Sequence, residues 1–229
     1  TTWGELAERN DKISVPDHIA PELPFVQILD LATGTGTFLV EVIDLIYLRM
    51  VEFWKSEGMS ESAIEAAWNT YVPEHLLTRL TGFELMMAPY AIAHMKIGLK
   101  LLETGYVFGS EERTRIFLTN ALEPARDLDM EFIFMAESLA HEAQAANEAK
   151  AKCQYSVLIG NPPYAGHSSN NHIRSIVSLV EDFRKSDPSL RGPGQGKWLQ
   201  DDYVKFYRQA ISQLEISGCG VLGLITNHR

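Results

Sequence analysis

Phe25-Val-Gln-Ile-Leu-Asp30-Leu-Ala-Thr-Gly34-Thr-Gly36-Thr-Phe38 is the stretch on which the fold turns. A short apolar run ends in an acid, small residues follow, and from Leu39 to Trp54 apolar residues recur at helical spacing. Strand, glycine turn and helix in that order open a doubly wound nucleotide-binding unit. Glycines at such a turn let backbone approach a ligand closely, with the positive end of a helix facing it. A dinucleotide site wants a third glycine three residues after Gly36, and Leu39 stands there instead. Asp30 would also repel a phosphate. An acid ahead of the turn suits a cation, such as the amino group or sulfonium of S-adenosylmethionine. Asp30, Ala32, Thr33, Gly34, Gly36 and Phe38 are therefore the expected cofactor residues. The turn alone also admits a dinucleotide or a purely structural role.

Working outward, residues 1–24 are polar and carry Pro16, Pro21 and Pro24, which reads as a lead-in with one short helix. Helical pattern runs from Ser60, a plausible N-cap, to Leu80. Strand-like pieces follow at Leu80–Phe83, Thr114–Thr119, Tyr155–Ile159 and Gly220–Ile225. Helices are expected between them at Pro89–Leu102, Glu131–Lys152, Ile173–Arg184 and Asp201–Glu215, the second of these exposed. Arg191 to Gly196 reads as a glycine-rich loop, and no internal repeat is present. Strands alternating with helices predict an α/β, Rossmann-like three-layer sandwich with a mostly parallel sheet and helical insertions. Such folds place an acid at the end of the second strand for ribose hydroxyls, and Glu84, followed by Leu85, is the candidate.

The fourth strand stops at Gly160-Asn161-Pro162-Pro163-Tyr164. Two prolines lock φ, so the Asn161 side chain and the Pro162 carbonyl are held outward at the carboxyl edge of the sheet. Chemistry on a planar exocyclic amine needs two such acceptors. The lone pair of that nitrogen is delocalised into the ring, and hydrogen bonds from the NH₂ group to both acceptors draw it towards a tetrahedral geometry. Tyr164 adds an aromatic face on which a base flipped out of a duplex can stack.

Bulk properties bound the reading. Hydrophobic residues make up 45% and charged residues 22% of 229, ordinary for a soluble globular domain, and the sequence suggests neither a membrane span nor a secretory leader. Cys153 and Cys219 beside apolar runs are expected as buried free thiols, in keeping with a cytoplasmic protein. Without a CxxC pair no structural zinc is expected. His167 and His172 flank a polar Ser-Ser-Asn-Asn stretch that reads as a loop facing DNA, not as metal ligands. The net charge of −10 is opposite in sign to a phosphate-gripping surface. Other segments or partners must then supply the grip on nucleic acid.

The turn, Gly82-Phe-Glu84-Leu85, Phe117-Leu-Thr-Asn120-Ala-Leu122 and Asn161-Pro-Pro-Tyr164, in that order, resemble the amino-methyltransferases of DNA in their γ arrangement. The resemblance spans about residues 25–229, and Asp201–Ala210 and Val221–Arg229 are similar to the helix and strand that follow the catalytic motif. Gly82-Phe-Glu-Leu-Met-Met-Ala-Pro-Tyr-Ala-Ile-Ala-His94 is similar in particular to single-polypeptide type I restriction–modification enzymes. The resemblance implies S-adenosyl-L-methionine as cofactor, adenine N6 in double-stranded DNA as target, and Asn161, Pro162, Pro163 and Tyr164 as catalytic residues. It implies that residues 1–229 form one catalytic core. The last strands and a target-recognition domain would lie beyond Arg229, and nuclease and ATPase segments elsewhere in the same polypeptide. It assigns Asn120 and Leu122 to the cofactor's adenine, with Asn120 standing where many relatives carry aspartate. The family's most N-terminal motif is not recognisable before Asp30. RNA bases, DNA cytosine and protein glutamine also present a planar NH₂, and a catalytically idle scaffold module is a further reading.

Overall fold

The computed structural model describes residues 1–9, 14–109, 112–125, 137–152, 154–164, 168–191 and 199–226. Among them run, in chain order, α1 (Trp3–Arg9), β1 (Ile28–Asp30), α2 (Thr37–Ser56), α3 (Glu61–Tyr71), β2 (Leu80–Glu84), α4 (Met87–Glu103) and β3 (Arg115–Leu118). Then follow α5 (Glu137–Lys152), β4 (Val157–Gly160), α6 (Arg174–Ser186), α7 (Asp202–Ser217) and β5 (Val221–Leu224). The five strands form one parallel sheet in the order β3-β2-β1-β4-β5. Chain direction across the sheet reverses between β1 and β4, which is the topological switch point of a doubly wound fold.

Alternation along the strands builds three layers. Ile28, Leu80 and Ile116 face a core shared with Leu39 and Ile43 of α2, Trp68 of α3, and Ala93, Ile97 and Leu101 of α4. Leu29, Phe83, Phe117 and Leu158 face the opposite core, with Ala146 and Ala149 of α5, Ile176 of α6 and Phe206 and Ala210 of α7. The α/β sandwich and its parallel sheet agree with the sequence reading.

Four local expectations need correction. The helix from Ser60 does not run unbroken to Leu80; Ser60 caps it, accepting from the Ala63 amide at 3.3 Å, but α3 ends at Tyr71 and widens into a π turn over Val72–Leu76. Pro73 has no N–H to return to the preceding turn, and the Leu77 amide reaches Val72 instead. Helix α4 begins at Met87, with Pro89 inside the first turn, where a missing N–H costs nothing. Helix α5 is not solvated all round: its small residues Ala146 and Ala149 lie in the core. Cys219 is exposed, because it sits in the turn after Gly218 caps α7, ahead of β5. Cys153, residues 131–136 of the expected helix and most of the 191–196 loop lie outside the described residues.

The lead-in holds the short helix expected there, docked through hydrogen bonds from the Trp3 amide to the Leu23 carbonyl and from the Gly4 amide to the Pro21 carbonyl. Among the described residues no helix is long and apolar enough to cross a membrane.

Candidate functional site

At the carboxyl end of β1 the chain turns over the sheet. The Thr33 amide donates to the Phe83 carbonyl at 3.0 Å, and the Thr33 hydroxyl donates to the Asp30 carbonyl at 3.2 Å. Gly34 and Gly36 have φ of 55° and 79°, a region that disfavours side chains. Their needs differ. A Cβ on Gly36 would press on Ala93 of α4 at 3.2 Å, so Gly36 serves helix packing, whereas the same atom on Gly34 would meet nothing nearer than 4.0 Å. Gly34 therefore presents its backbone to open space, as a ligand cradle must. Gly82, beneath the turn, has no room for a side chain: a Cβ would lie 2.5 Å from Thr33 Oγ1 and 2.8 Å from Ile116 Cδ1. Leu39, at the position of the absent third glycine, is fully buried in the core.

Two acids flank this turn. Glu84, last residue of β2, accepts from the Gly34 amide and the Met86 amide, each at 2.8 Å. Its carboxylate thus holds the turn itself, with lone pairs left over for a ligand hydroxyl. Asp30 is fully buried; Oδ1 accepts from the Ala32 amide at 3.1 Å, and Oδ2 has no partner. Burial pushes the Asp30 carboxyl up to about 7, the Ala32 amide opposes the shift, and Glu84 adds to it. A buried acid with one unpartnered oxygen, a second acid nearby and an open backbone turn fit a ligand carrying both a cation and ribose hydroxyls. They do not fit a pyrophosphate.

Across the switch point, β4 brings Asn161–Tyr164 alongside. Gly160 makes the approach possible, since a Cβ there would stand 3.2 Å from Asp30 Oδ1 and 3.9 Å from the Ala32 amide nitrogen. Asn161 and Pro163 are exposed, and the ring of Pro162 is buried. Tyr164 is 43% exposed; its hydroxyl faces the Ile225 carbonyl at 2.7 Å and Asn161 Oδ1 at 3.1 Å. Its ring lies 6.0 Å from that of Tyr203 on α7.

The other expected residues are placed less evenly. Thr33 is locked in backbone bonds, Ala32 and Phe38 are half-buried, and Leu85 is exposed. Asn120, just beyond β3, is half-buried and reaches the same edge, because the neighbouring Thr119 amide donates to the Glu84 carbonyl at 2.8 Å. Leu122 is only 1% exposed and packs in the core; its side chain is spent on packing, and only its backbone is turned to Asn120. Sequence reasoning missed Gly82, Gly160, Tyr203, Asn170, Asp202 and Lys205. The acid–base pair Asp202-x-x-Lys205 on one helix was the only available signal for the last two. Among the described residues no group of three His, Cys, Asp or Glu side chains converges as metal ligands; His167 lies outside them.

A groove of about 550 Å³ lies at the opposite edge of the sheet, lined by residues that open or precede strands, such as Gln27, Thr78, Arg115 and Gln154. Doubly wound sheets bind ligands at the carboxyl ends of their strands, so that groove is set apart from the site.

Fold and site together define a doubly wound α/β core with an Asn-Pro-Pro-Tyr loop at its switch point. No family model matches the chain, and no curated protein matches it in sequence. Solved structures do. Similar over 99% of this chain are a nuclease-deletion mutant of the Type ISP restriction-modification enzyme LlaGI in complex with a DNA substrate mimic (TM-score 0.63) and the ATP-dependent Type ISP restriction-modification enzyme LlaBIII bound to DNA (TM-score 0.61). A DrdV–DNA complex is similar over the same share (TM-score 0.59). Each is 22% identical, and the likeness shows a shared fold. This chain spans 14–19% of theirs.

Proposed function

We propose that this chain is the catalytic core of an S-adenosylmethionine-dependent methyltransferase that acts on adenine N6 in DNA within a restriction–modification enzyme. The observation that carries the reading is the meeting of Asp30, with its unpartnered buried oxygen, and Asn161-Pro-Pro-Tyr164 at the switch point of the sheet. The fold shared with DNA-bound restriction–modification enzymes supports it.

In this reading Asp30 and the Gly34 turn receive the cationic end of the cofactor, Glu84 its ribose, and Leu85 and Asn120 its adenine. Bound there, S-adenosylmethionine supplies an electrophilic methyl group on a sulfonium. Asn161 Oδ1 and the Pro162 carbonyl accept from the two N6 hydrogens of a flipped adenine, and so localise the nitrogen lone pair towards the methyl group. As the nitrogen–carbon bond forms, the carbon–sulfur bond would break to leave a neutral thioether, and the amine, made acidic, would release one proton to solvent, so no strong general base is needed. Rate enhancement comes from positioning and from acceptors fixed in place before charge develops. Tyr164 stacks on the base, and its hydroxyl contact to Asn161 Oδ1 leaves that oxygen one further lone pair. A net charge of −10 leaves the grip on duplex DNA to other segments.

Calorimetry with S-adenosylmethionine and with NAD tests the cofactor assignment, and methylation of adenine-containing DNA tests the reaction. Preference for NAD would overturn the first. Methylation of RNA or of protein glutamine with DNA left untouched would overturn the second.

A further inference from the structure

Asn120, the residue assigned above to the cofactor's adenine, ends a buried chain of polar side chains that no ligand contact explains. Its Nδ2 donates to Asn170 Oδ1 at 2.9 Å, and Asn170 Nδ2 donates in turn to Asp202 Oδ1 at 3.0 Å. The Ser168 hydroxyl also donates to Asp202 Oδ1. Lys205 Nζ donates to Ser168 Oγ and, at 2.7 Å, to Asn171 Oδ1, and it stands 3.8 Å from Asp202. Asn170, Asp202 and Lys205 are all buried. Burial lowers the Lys205 pKa, against the pull of Asp202.

The sense of every bond in the chain is forced from one end. A lysine ammonium only donates and a carboxylate only accepts. Ser168 Oγ takes bonds from Lys205 and from the Asn170 amide at 2.9 Å, which fills its acceptor sites and leaves its proton for Asp202. Asp202 then requires the NH₂ end of Asn170, whose oxygen requires the NH₂ end of Asn120. The Asn120 oxygen is left on the other side, where it accepts from the Leu122 amide at 3.0 Å and keeps one lone pair.

We propose that Asn170, Asp202 and Lys205 are positioning residues that lock Asn120 with its oxygen towards the cofactor, so that an asparagine presents the acceptor an aspartate would. The chain then sets specificity for a purine bearing an exocyclic NH₂, as adenine does, over one bearing a carbonyl at that position. Without it only the Leu122 amide, 3.0 Å from Asn120 Oδ1, opposes a turn of the Asn120 amide, and the preference between the two rings weakens. Asp202 and Lys205 stand at the start of α7, next to Tyr203, so the chain joins the cofactor side of the edge to the Asn161–Tyr164 side. This inference rests on the cofactor reading above.

Calorimetry with S-adenosylhomocysteine and with S-inosylhomocysteine, its hypoxanthine counterpart, tests the relay without needing methyl transfer. The wild-type chain is expected to prefer the adenine form by about tenfold or more. Asn170→Leu should bring the two affinities within about threefold, mainly by weakening the adenine form, and thermal unfolding checks that the variant is folded. If it is not, Asn170→Ala is the second variant. The decisive measurement is a rescue: an aspartate has no donor end to misplace, so Asn120→Asp combined with Asn170→Leu should restore the preference. Unchanged preference in the Asn170 variants, or no rescue, overturns the relay while leaving the cofactor reading intact. Wild-type binding to neither compound overturns both.

Discussion

The carboxyl edge of the sheet has two unlike halves. On the β1–β2–β3 side Asp30 and Thr33 are buried, Glu84 and Asn120 are half-buried, and all are cross-tied: Thr33 to Phe83 and Asp30, Glu84 to Gly34 and Met86, Asn120 to Asn170. On the β4–β5 side Asn161, Pro163 and Tyr164 are exposed, and the tyrosine hydroxyl is what links them to β5. A half that holds a resident cofactor profits from being preformed, since ordering lost on binding subtracts from affinity. A half that must admit a base flipped from a duplex has to stay open to solvent. The two halves should therefore fail differently when altered.

The largest effect belongs to the open half. In the proposed reaction, Asn161→Ala removes one of two acceptors that act on the amine only as its charge develops. Single-turnover methylation should slow by about 10²–10³-fold, while cofactor affinity, set across the switch point, should hardly change. A wild-type rate would reduce Asn161 to part of a turn and end the acceptor mechanism.

Gly82→Ala strikes the preformed half from beneath. The new methyl must displace Thr33 and Ile116, both of which are held by the core. Chemical denaturation should show a loss of about 2–3 kcal/mol. Cofactor affinity should fall with it, because Thr33 carries the turn. Stability within 0.5 kcal/mol of wild type (on the order of an ordinary surface substitution) would mean that the turn is softer than its hydrogen bonds imply.

How much of this was legible beforehand follows the same division. The turn and the Asn-Pro-Pro-Tyr loop could be read because glycine and proline are constrained by backbone sterics, and the order of strands by the alternation of patterns. Pro73 was equally visible, yet its outcome, a π turn followed by β2, depends on where Val72 and Leu76 are buried. Ala146 and Ala149 read as polite surface residues until β3 is placed against them. Nothing in the spacing of Asp202 and Lys205 on one helix shows that they are buried; that depends on the turn at Ser169–His172, whose Asn170 and Asn171 bond to them. Leu122 was assigned to a ligand by resemblance, and packing claimed its side chain.

Asp30→Asn sharpens the contrast by pH. The Asp30 carboxyl, ordinarily near 3.8, titrates at about 7 in the folded chain. A group raised in this way adds stability below its unfolded pKa, and that contribution is lost as pH rises from about 4 through about 7. Three pKa units correspond to about 4 kcal/mol, part of which a buried amide without partners gives back. At pH 8 the variant should thus be more stable than wild type by about 1–2 kcal/mol, and near pH 4, where only the amide's cost remains, less stable by about 2–3 kcal/mol. Its affinity for a cationic cofactor should nevertheless fall, and wild-type affinity should rise with pH through 7. A variant less stable than wild type at pH 8 would show that Asp30 has a partner in the folded state.

Tyr164→Phe has the smallest expected effect and separates two roles on one side chain. The ring proposed to stack on the base remains, so binding of a DNA carrying a fluorescent adenine analogue at its target should change less than it does in Tyr164→Ala. The hydroxyl, which bridges Ile225 and Asn161, is lost. If that bridge holds Asn161 in place for the amine, the chemical step should slow by less than about tenfold, the worth of one neutral hydrogen bond. If instead it closes the pocket in the absence of DNA, the phenylalanine variant should flip the base more readily and transfer the methyl group at least as fast. Stopped-flow fluorescence reports flipping, and quenched single turnovers report transfer. A variant unchanged in both would leave the ring as the whole contribution of Tyr164, with the open half of the edge held by its prolines alone.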